Sequence, residues 1–98
     1  MKNLKDILYK VSIESVKGTT DVVVNALVFD SRKVELNDVF IAVKGVSSDG
    51  HLFIDSAIKQ GAHVIVCENF PENIINEVTY IKVIDVQKAL ALMAANFY

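Results

Sequence analysis

The apolar side chains of this chain fall into short segments of two kinds, one with helical spacing and one nearly continuous. Leu4, Ile7, Leu8 and Val11 stand at i, i+3, i+4 and i+7, the spacing that lines one face of a helix. Asn3 precedes them as a cap, and Asp6 in the first turn suits the positive end of the helix dipole. Residues 17–21, Lys-Gly-Thr-Thr-Asp, break the pattern with turn formers. Residues 22–29 are then almost continuously apolar and rich in β-branched side chains, with Asn25 the one interruption, which predicts a strand covered on both faces. A second apolar run at 39–43 follows Asn37-Asp38. Asn is the non-glycine residue most tolerant of a left-handed backbone, so a turn feeding a strand is predicted there.

In the second half Phe53 pairs with Ala57 and Ile54 with Ile58 at helical spacing, and Gly61 stands where a glycine ends a helix. Residues 62–67 predict a third strand. Residues 69–77 hold the only proline, with carboxylates around Ile74 and Ile75, and read as a surface loop with room for one helical turn. Residues 78–84 predict a fourth strand. Asp85 then caps a last helix whose apolar face is Val86, Ala89, Leu90, Met93, Ala94 and Phe97. Strands alternating with helices predict an α/β layered domain with a small sheet, whose strand order the pattern leaves open.

Composition narrows the class. The 98 residues fit one domain, and 52% hydrophobic content with 22% charged residues and a single proline belongs to ordered globular chains. A net charge of -2, with Lys and Arg spread along the chain, supplies no basic surplus for nucleic acid. Charges interrupt the N-terminal apolar residues, and no run of about 18 apolar residues exists, so a soluble, cytoplasmic protein with no membrane partner is predicted. Cys67 is the only cysteine, which excludes an internal disulfide and reads as a small buried hydrophobe in a strand. The chain stops on Phe97-Tyr98 with no glycine stop or polar tail, which predicts a fragment of a longer protein.

The polar residues that look chemical gather in residues 29–54, in two triplets, Asp30-Ser31-Arg32 and Asp49-Gly50-His51. Residues 45–50 have the glycine spacing of a phosphate-binding P-loop, but His51 and Leu52 replace the Lys and Ser/Thr that reach the phosphates and the magnesium. No dinucleotide fingerprint is present. His63 and Cys67 are four residues apart, about 13 Å along a strand and too far for one metal ion. His51 lacks any such partner and reads as a histidine bonding backbone near a helix start. A triad of Asp30, Ser31 and His51 fails because adjacent strand residues point to opposite faces. Binding remains. Ser31 follows the long strand, and Val46, Ser47 and Ser48 follow the short one, so hydroxyls and backbone N–H groups could gather in the crevice beyond the strands' carboxyl ends. The bland reading stands beside it: Asp30, Ser31 and Arg32 tie off a strand with an Asx turn and an ion pair. The residues alone support both.

The ordered set of motifs resembles the opening domain of the Mur ligases of cell-wall synthesis. It comprises Asp30-Ser31-Arg32, Asn37-Asp38 where that family has a glycine-aspartate turn, Phe40 in a short strand, Gly45, three variable residues at 46–48, Asp49-Gly50-His51 with Phe53-Ile54, Gly61-Ala62, a strand at 81–84 with Asp85, and Phe97-Tyr98. The likeness covers nearly the whole chain and is to the branch that adds the third residue of the peptidoglycan stem peptide, commonly diaminopimelate or lysine. The sister branch, MurF, usually carries a Phe where Ser48 stands here.

The resemblance implies a small layered domain with a central mixed sheet flanked by helices. It implies that residues 1–98 hold the UDP part of UDP-N-acetylmuramyl-dipeptide, with Phe29 and Ser31 near the uridine diphosphate and Val46, Ser47 and Ser48 around the uracil. It places no catalytic residue or metal ligand in this stretch. ATP and magnesium, and the choice of amino acid, are assigned to further domains of the same chain, so this domain alone would be catalytically silent. The alternatives are the corresponding domain of MurF and a non-catalytic ligand- or partner-binding module of similar fold.

Overall fold

In the computed structural model, which describes residues 1–98 throughout, Asn3 caps the first helix as expected, accepting a hydrogen bond from the Lys5 N–H at 3.0 Å. That helix, α1 (Leu4–Ile7), is a single turn that buries Leu4 and Ile7. Two strands near it were not expected from the sequence. Strand β1 (Lys2–Asn3) is two residues long, and β2 (Ile13–Lys17) is exposed at every position, so neither carries a pattern of burial that could announce it.

The expected strand over residues 22–29 does not form as one piece. It splits into β3 (Val23–Val24), antiparallel to β1, and β4 (Leu27–Val28), which belongs to a different sheet. Only Val24 is buried, and Val23 is 49% exposed, so the run is not covered on both faces. Asn25 is the cause. Its N–H donates to the Asn37 carbonyl at 2.9 Å and its side chain to Asp38 Oδ1 at 3.1 Å, so the chain bends toward the next turn. The β-branched run reports apolar content, and the polar residue inside it sets where the strand stops.

The main sheet has the order β2-β7-β6-β5-β4, completed by β5 (Val39–Ile41), β6 (Val64–Cys67) and β7 (Thr79–Val83). Strands β4 to β7 run parallel and β2 is antiparallel to β7, so this is the central mixed sheet of the expectation. Alternate residues of the inner strands serve opposite faces, as the pleat requires. Val39, Ile41, Val64, Val66, Ile81 and Val83 pack with α1 and with α3 (Val86–Phe97). Phe40, Ile65, Cys67 and Tyr80 pack with α2 (Ile54–Gln60) on the other side. Burial pushes the Cys67 thiol up to about 11, which fits a small apolar strand residue and not a thiolate.

The turn chemistry follows the sequence closely. Asn37 has φ 66°, the left-handed conformation expected of it, and leads into β5. The buried Asp38 beside it is satisfied, Oδ2 accepting from the Glu35 N–H at 2.8 Å. Gly61 ends α2 with φ 123°, and a Cβ there would stand 2.8 Å from the Leu36 Cα. Residues 69–77 form a loop without a helical turn. Asp85 caps α3, accepting from the Gln87 and Lys88 N–H groups at 3.1 Å each. Near the other end of α3, the Asn96 side chain donates to the Ile7 and Tyr9 carbonyls, both at 2.8 Å.

Candidate functional site

Two loops leave the carboxyl ends of neighbouring parallel strands β4 and β5. After β4 come Phe29, Asp30 and a 3-10 turn over Ser31–Lys33. Asp30 Oδ1 accepts from the Arg32 N–H at 3.0 Å and from its Nε at 3.1 Å, while Oδ2 accepts from the guanidinium at 3.0 Å. These bonds, the side-chain ones first, hold the Asp30 carboxyl at about 2, and the carboxylate in turn raises the Arg32 guanidinium above its ordinary value. The Asx turn and ion pair of the bland reading therefore exist. Ser31 is held differently, through a hydrogen bond from the Gln60 side chain of α2 to its carbonyl.

After β5 the chain makes a tight hairpin. Lys44 bridges Asp49, and the Gly45 N–H donates to the Ser48 carbonyl at 2.8 Å, which leaves Val46 and Ser47 exposed at the tip. Gly50 brings the loop back against the strand, donating to the Val43 carbonyl at 2.9 Å. Asp49 Oδ1 accepts from the His51 N–H at 3.0 Å and meets His51 Nδ1 at 2.7 Å, which lowers the Asp49 carboxyl, the backbone bond contributing most. His51 Nε2 accepts from the Glu68 N–H at 2.9 Å, so its proton is on Nδ1. The expected role of His51, bonding backbone near a helix start, is what the structure shows.

Between the loops lies an open pocket of about 530 Å³. Phe29, Asp30, Ser31 and Arg32 line it from the first loop, Ser48, Gly50 and Phe53 from the second, and Phe40 and Val43 from β5. Of the five residues singled out from sequence, the structure brings Phe29, Ser31 and Ser48 together, whereas Val46 and Ser47 stand outside the lining. Arg32 and Gly50, named only as members of the two triplets, and Phe53 also line it without having been assigned to a ligand. Phe53 was hidden by its helical spacing with Ala57. It belongs instead to a 3-10 turn over Gly50–Phe53 and is 40% exposed.

Two partly exposed aromatic rings beside hydroxyls and a guanidinium suit a ligand with a planar ring and an anionic group. The glycine-spaced loop leads into a four-residue 3-10 turn without a lysine, and no group of three or more His, Cys, Asp or Glu is clustered as a metal ion requires. No helix is long and apolar enough to cross a membrane.

The chain is thus a small α/β domain whose mixed sheet carries an open pocket at the carboxyl ends of two adjacent parallel strands. Residues 23–98 match the Mur ligase family, catalytic domain, and the chain belongs to the Mur ligase family. It is 54% identical over 96 residues to the UDP-N-acetylmuramoyl-L-alanyl-D-glutamate--2,6-diaminopimelate ligase of Cytophaga hutchinsonii, covering 97% of this chain and 20% of that protein. The ligase of the same name from Phocaeicola vulgatus is 39% identical over 95 residues, with the same coverage. The chain thus spans about a fifth of the length of these relatives. Among solved structures, MurF from Acinetobacter baumannii superposes over 96% of this chain and 20% of its own with a TM-score of 0.76 at 22% identity, a likeness of fold alone. MurF from Thermotoga maritima, in complex with ADP, gives a TM-score of 0.63 at 37% identity, covering 71% of this chain and 16% of its own. The family resemblance read from the Asp-Ser-Arg and Asp-Gly-His motifs, and the mixed α/β fold expected with it, both hold.

Proposed function

We propose that residues 1–98 are the substrate-gripping N-terminal domain of a MurE-type ligase, holding the UDP part of UDP-N-acetylmuramyl-dipeptide in the pocket between the two loops. The observation that carries this reading is the convergence of Phe29, Ser31 and Ser48, from loops on two neighbouring strands, on one pocket of nucleotide-accommodating size. The two relatives named above, both diaminopimelate ligases, support the MurE type. The MurF alternative rests on likeness of fold and on the lower identity of the Thermotoga maritima protein.

In this reading the Phe29 and Phe53 rings offer apolar faces to the uracil. The Ser31 and Ser48 hydroxyls and the Arg32 N–H groups not engaged by Asp30 donate to diphosphate oxygens. Val46 and Ser47, at the exposed hairpin tip, close over the base. The ligase reaction converts the substrate carboxylate to an acyl phosphate at the expense of ATP. The amine of the incoming amino acid then attacks the acyl carbon, the amide bond forms and phosphate leaves. ATP and magnesium are held by other domains of the enzyme, which works in the cytoplasm, where its nucleotide-linked substrate is found. Residues 1–98 contribute by fixing the far end of the substrate, so that binding energy remote from the reacting atoms orients the carboxylate.

Titration of the 98-residue chain with UDP, followed by amide NMR, tests the reading. Shifts should cluster at Phe29, Ser31 and Ser48 and extend to Val46 and Ser47. Shifts confined to another face of the sheet would overturn it.

A further inference from the structure

We infer that His51 is a positioning residue for the pocket, its ring tying the hairpin that carries Ser48 and Gly50 to the end of β6. Along the hairpin the side chains divide their roles. Ser48 and Gly50 line the pocket, while the carboxylate of Asp49 between them turns to His51, which accounts for its bonds to the His51 N–H at 3.0 Å and to Nδ1 at 2.7 Å. The ring is largely buried, with 16% of its side chain exposed. Its other nitrogen, Nε2, accepts from the Glu68 N–H at 2.9 Å, with the Asn69 N–H at 3.4 Å beside it. Both ring nitrogens are therefore used, one as donor and one as acceptor.

The far anchor is itself fixed. Glu68 Oε2 accepts from the N–H of Val86, the first residue of α3, at 2.9 Å. A continuous path of hydrogen bonds thus runs from the pocket wall through the imidazole to the end of β6 and on to α3. Without the ring, the hairpin is joined to the sheet at its base alone, by the Gly50 N–H to the Val43 carbonyl. Its pocket-facing residues would then have to be ordered by the ligand, at a cost in affinity. This role rests on the nucleotide-binding reading only for its ligand measurement.

Two substitutions separate positioning from general stability. In His51→Asn the side-chain amide can still reach Asp49 but not the Glu68 N–H, whereas in His51→Gln the longer side chain places a carbonyl oxygen near the former Nε2. In the full 98-residue chain without ligand, His51→Asn should speed hydrogen exchange at the Gly45 and Gly50 amides about tenfold while leaving the β6 amides as they were. UDP affinity should fall about fivefold, the loss expected for roughly one hydrogen bond. His51→Gln should restore both measurements most of the way. Unchanged hairpin exchange in His51→Asn would overturn the inference. So would faster exchange spread evenly over the sheet, or a Gln variant as impaired as the Asn variant. If the wild-type chain binds no UDP, the nucleotide reading fails alone, and the exchange measurements still decide the role of His51.

Discussion

Gly50 and Val43 touch through their backbones: the Gly50 N–H donates to the Val43 carbonyl at 2.9 Å, and a Cβ on Gly50 would stand 2.8 Å from the Val43 nitrogen. Both residues line the pocket, so this contact sets how closely the hairpin lies against the end of β5. Because the obstacle is backbone, it cannot turn aside as a side chain would. Gly50→Ala should cost about 1–3 kcal/mol, the usual penalty for overfilling a packed site. Denaturant unfolding should show this as a lower midpoint with an unchanged slope.

Ser31 contributes to the fold through its carbonyl, which accepts from Gln60. Removing its hydroxyl leaves that bond in place. Ser31→Ala in the full-length ligase should therefore weaken the nucleotide substrate by about 0.5–3 kcal/mol while leaving ATP affinity and the melting temperature nearly unchanged. Parallel substrate titration and thermal unfolding check this, and a large drop in melting temperature would assign Ser31 to the fold instead.

The left-handed Asn37 joins the segment after the Ser31–Lys33 turn to β5. Its N–H donates to the Gly61 carbonyl and its carbonyl accepts from Asn25, both at 2.9 Å. Asn37→Gly keeps the conformation accessible and should change stability by less than about 1 kcal/mol. Asn37→Val places a β-branched side chain at positive φ and should cost roughly 1–3 kcal/mol. Comparing the unfolding midpoints of the two variants tests whether backbone conformation governs this turn.

Asp30 has its folded carboxyl value lowered from 3.8 to about 2. A depressed carboxylate stabilises the fold above the unfolded value and loses that contribution as pH falls, here between about 4 and about 2. Arg32 is 87% exposed, so the effect on overall stability is small. The sharper measurement is the titration of the Asp30 side-chain carbon by NMR. Its midpoint should lie near 2 in the native chain and return toward the ordinary carboxylate range in Arg32→Ala. An unchanged midpoint would mean that Arg32 is not the cause.

Local chemistry was legible wherever one residue type has one dominant use. Asn3 and Asp85 cap helices, Asn37 takes the left-handed turn and Gly61 stops α2, as their positions implied. Strands were legible where they are buried. Strand β2 escaped because all its residues are exposed and its partner, β7, lies more than 60 positions later in the chain. Residues 22–29 misled because apolar content does not report which of two sheets a segment joins; the bond from Asn25 to Asp38, which decides it, is tertiary. The site was half legible for the same reason. Ser31 and Ser48 follow strands, and that position alone brings them together, but Phe53 reaches the pocket only because a 3-10 turn precedes α2.

The bonds from Asn96 to the carbonyls of Ile7 and Tyr9 join positions 89 and 87 residues apart. On the ribosome, at roughly 5 to 20 residues per second, Ile7 precedes its partner by about 4 to 18 s. Throughout that interval the buried side of α1, Leu4 and Ile7, lacks Met93 and the rest of the helix that covers it. Within residues 1–98 the segment synthesised earliest is thus among the last to be secured, and a nascent chain of this domain presents a transient apolar surface.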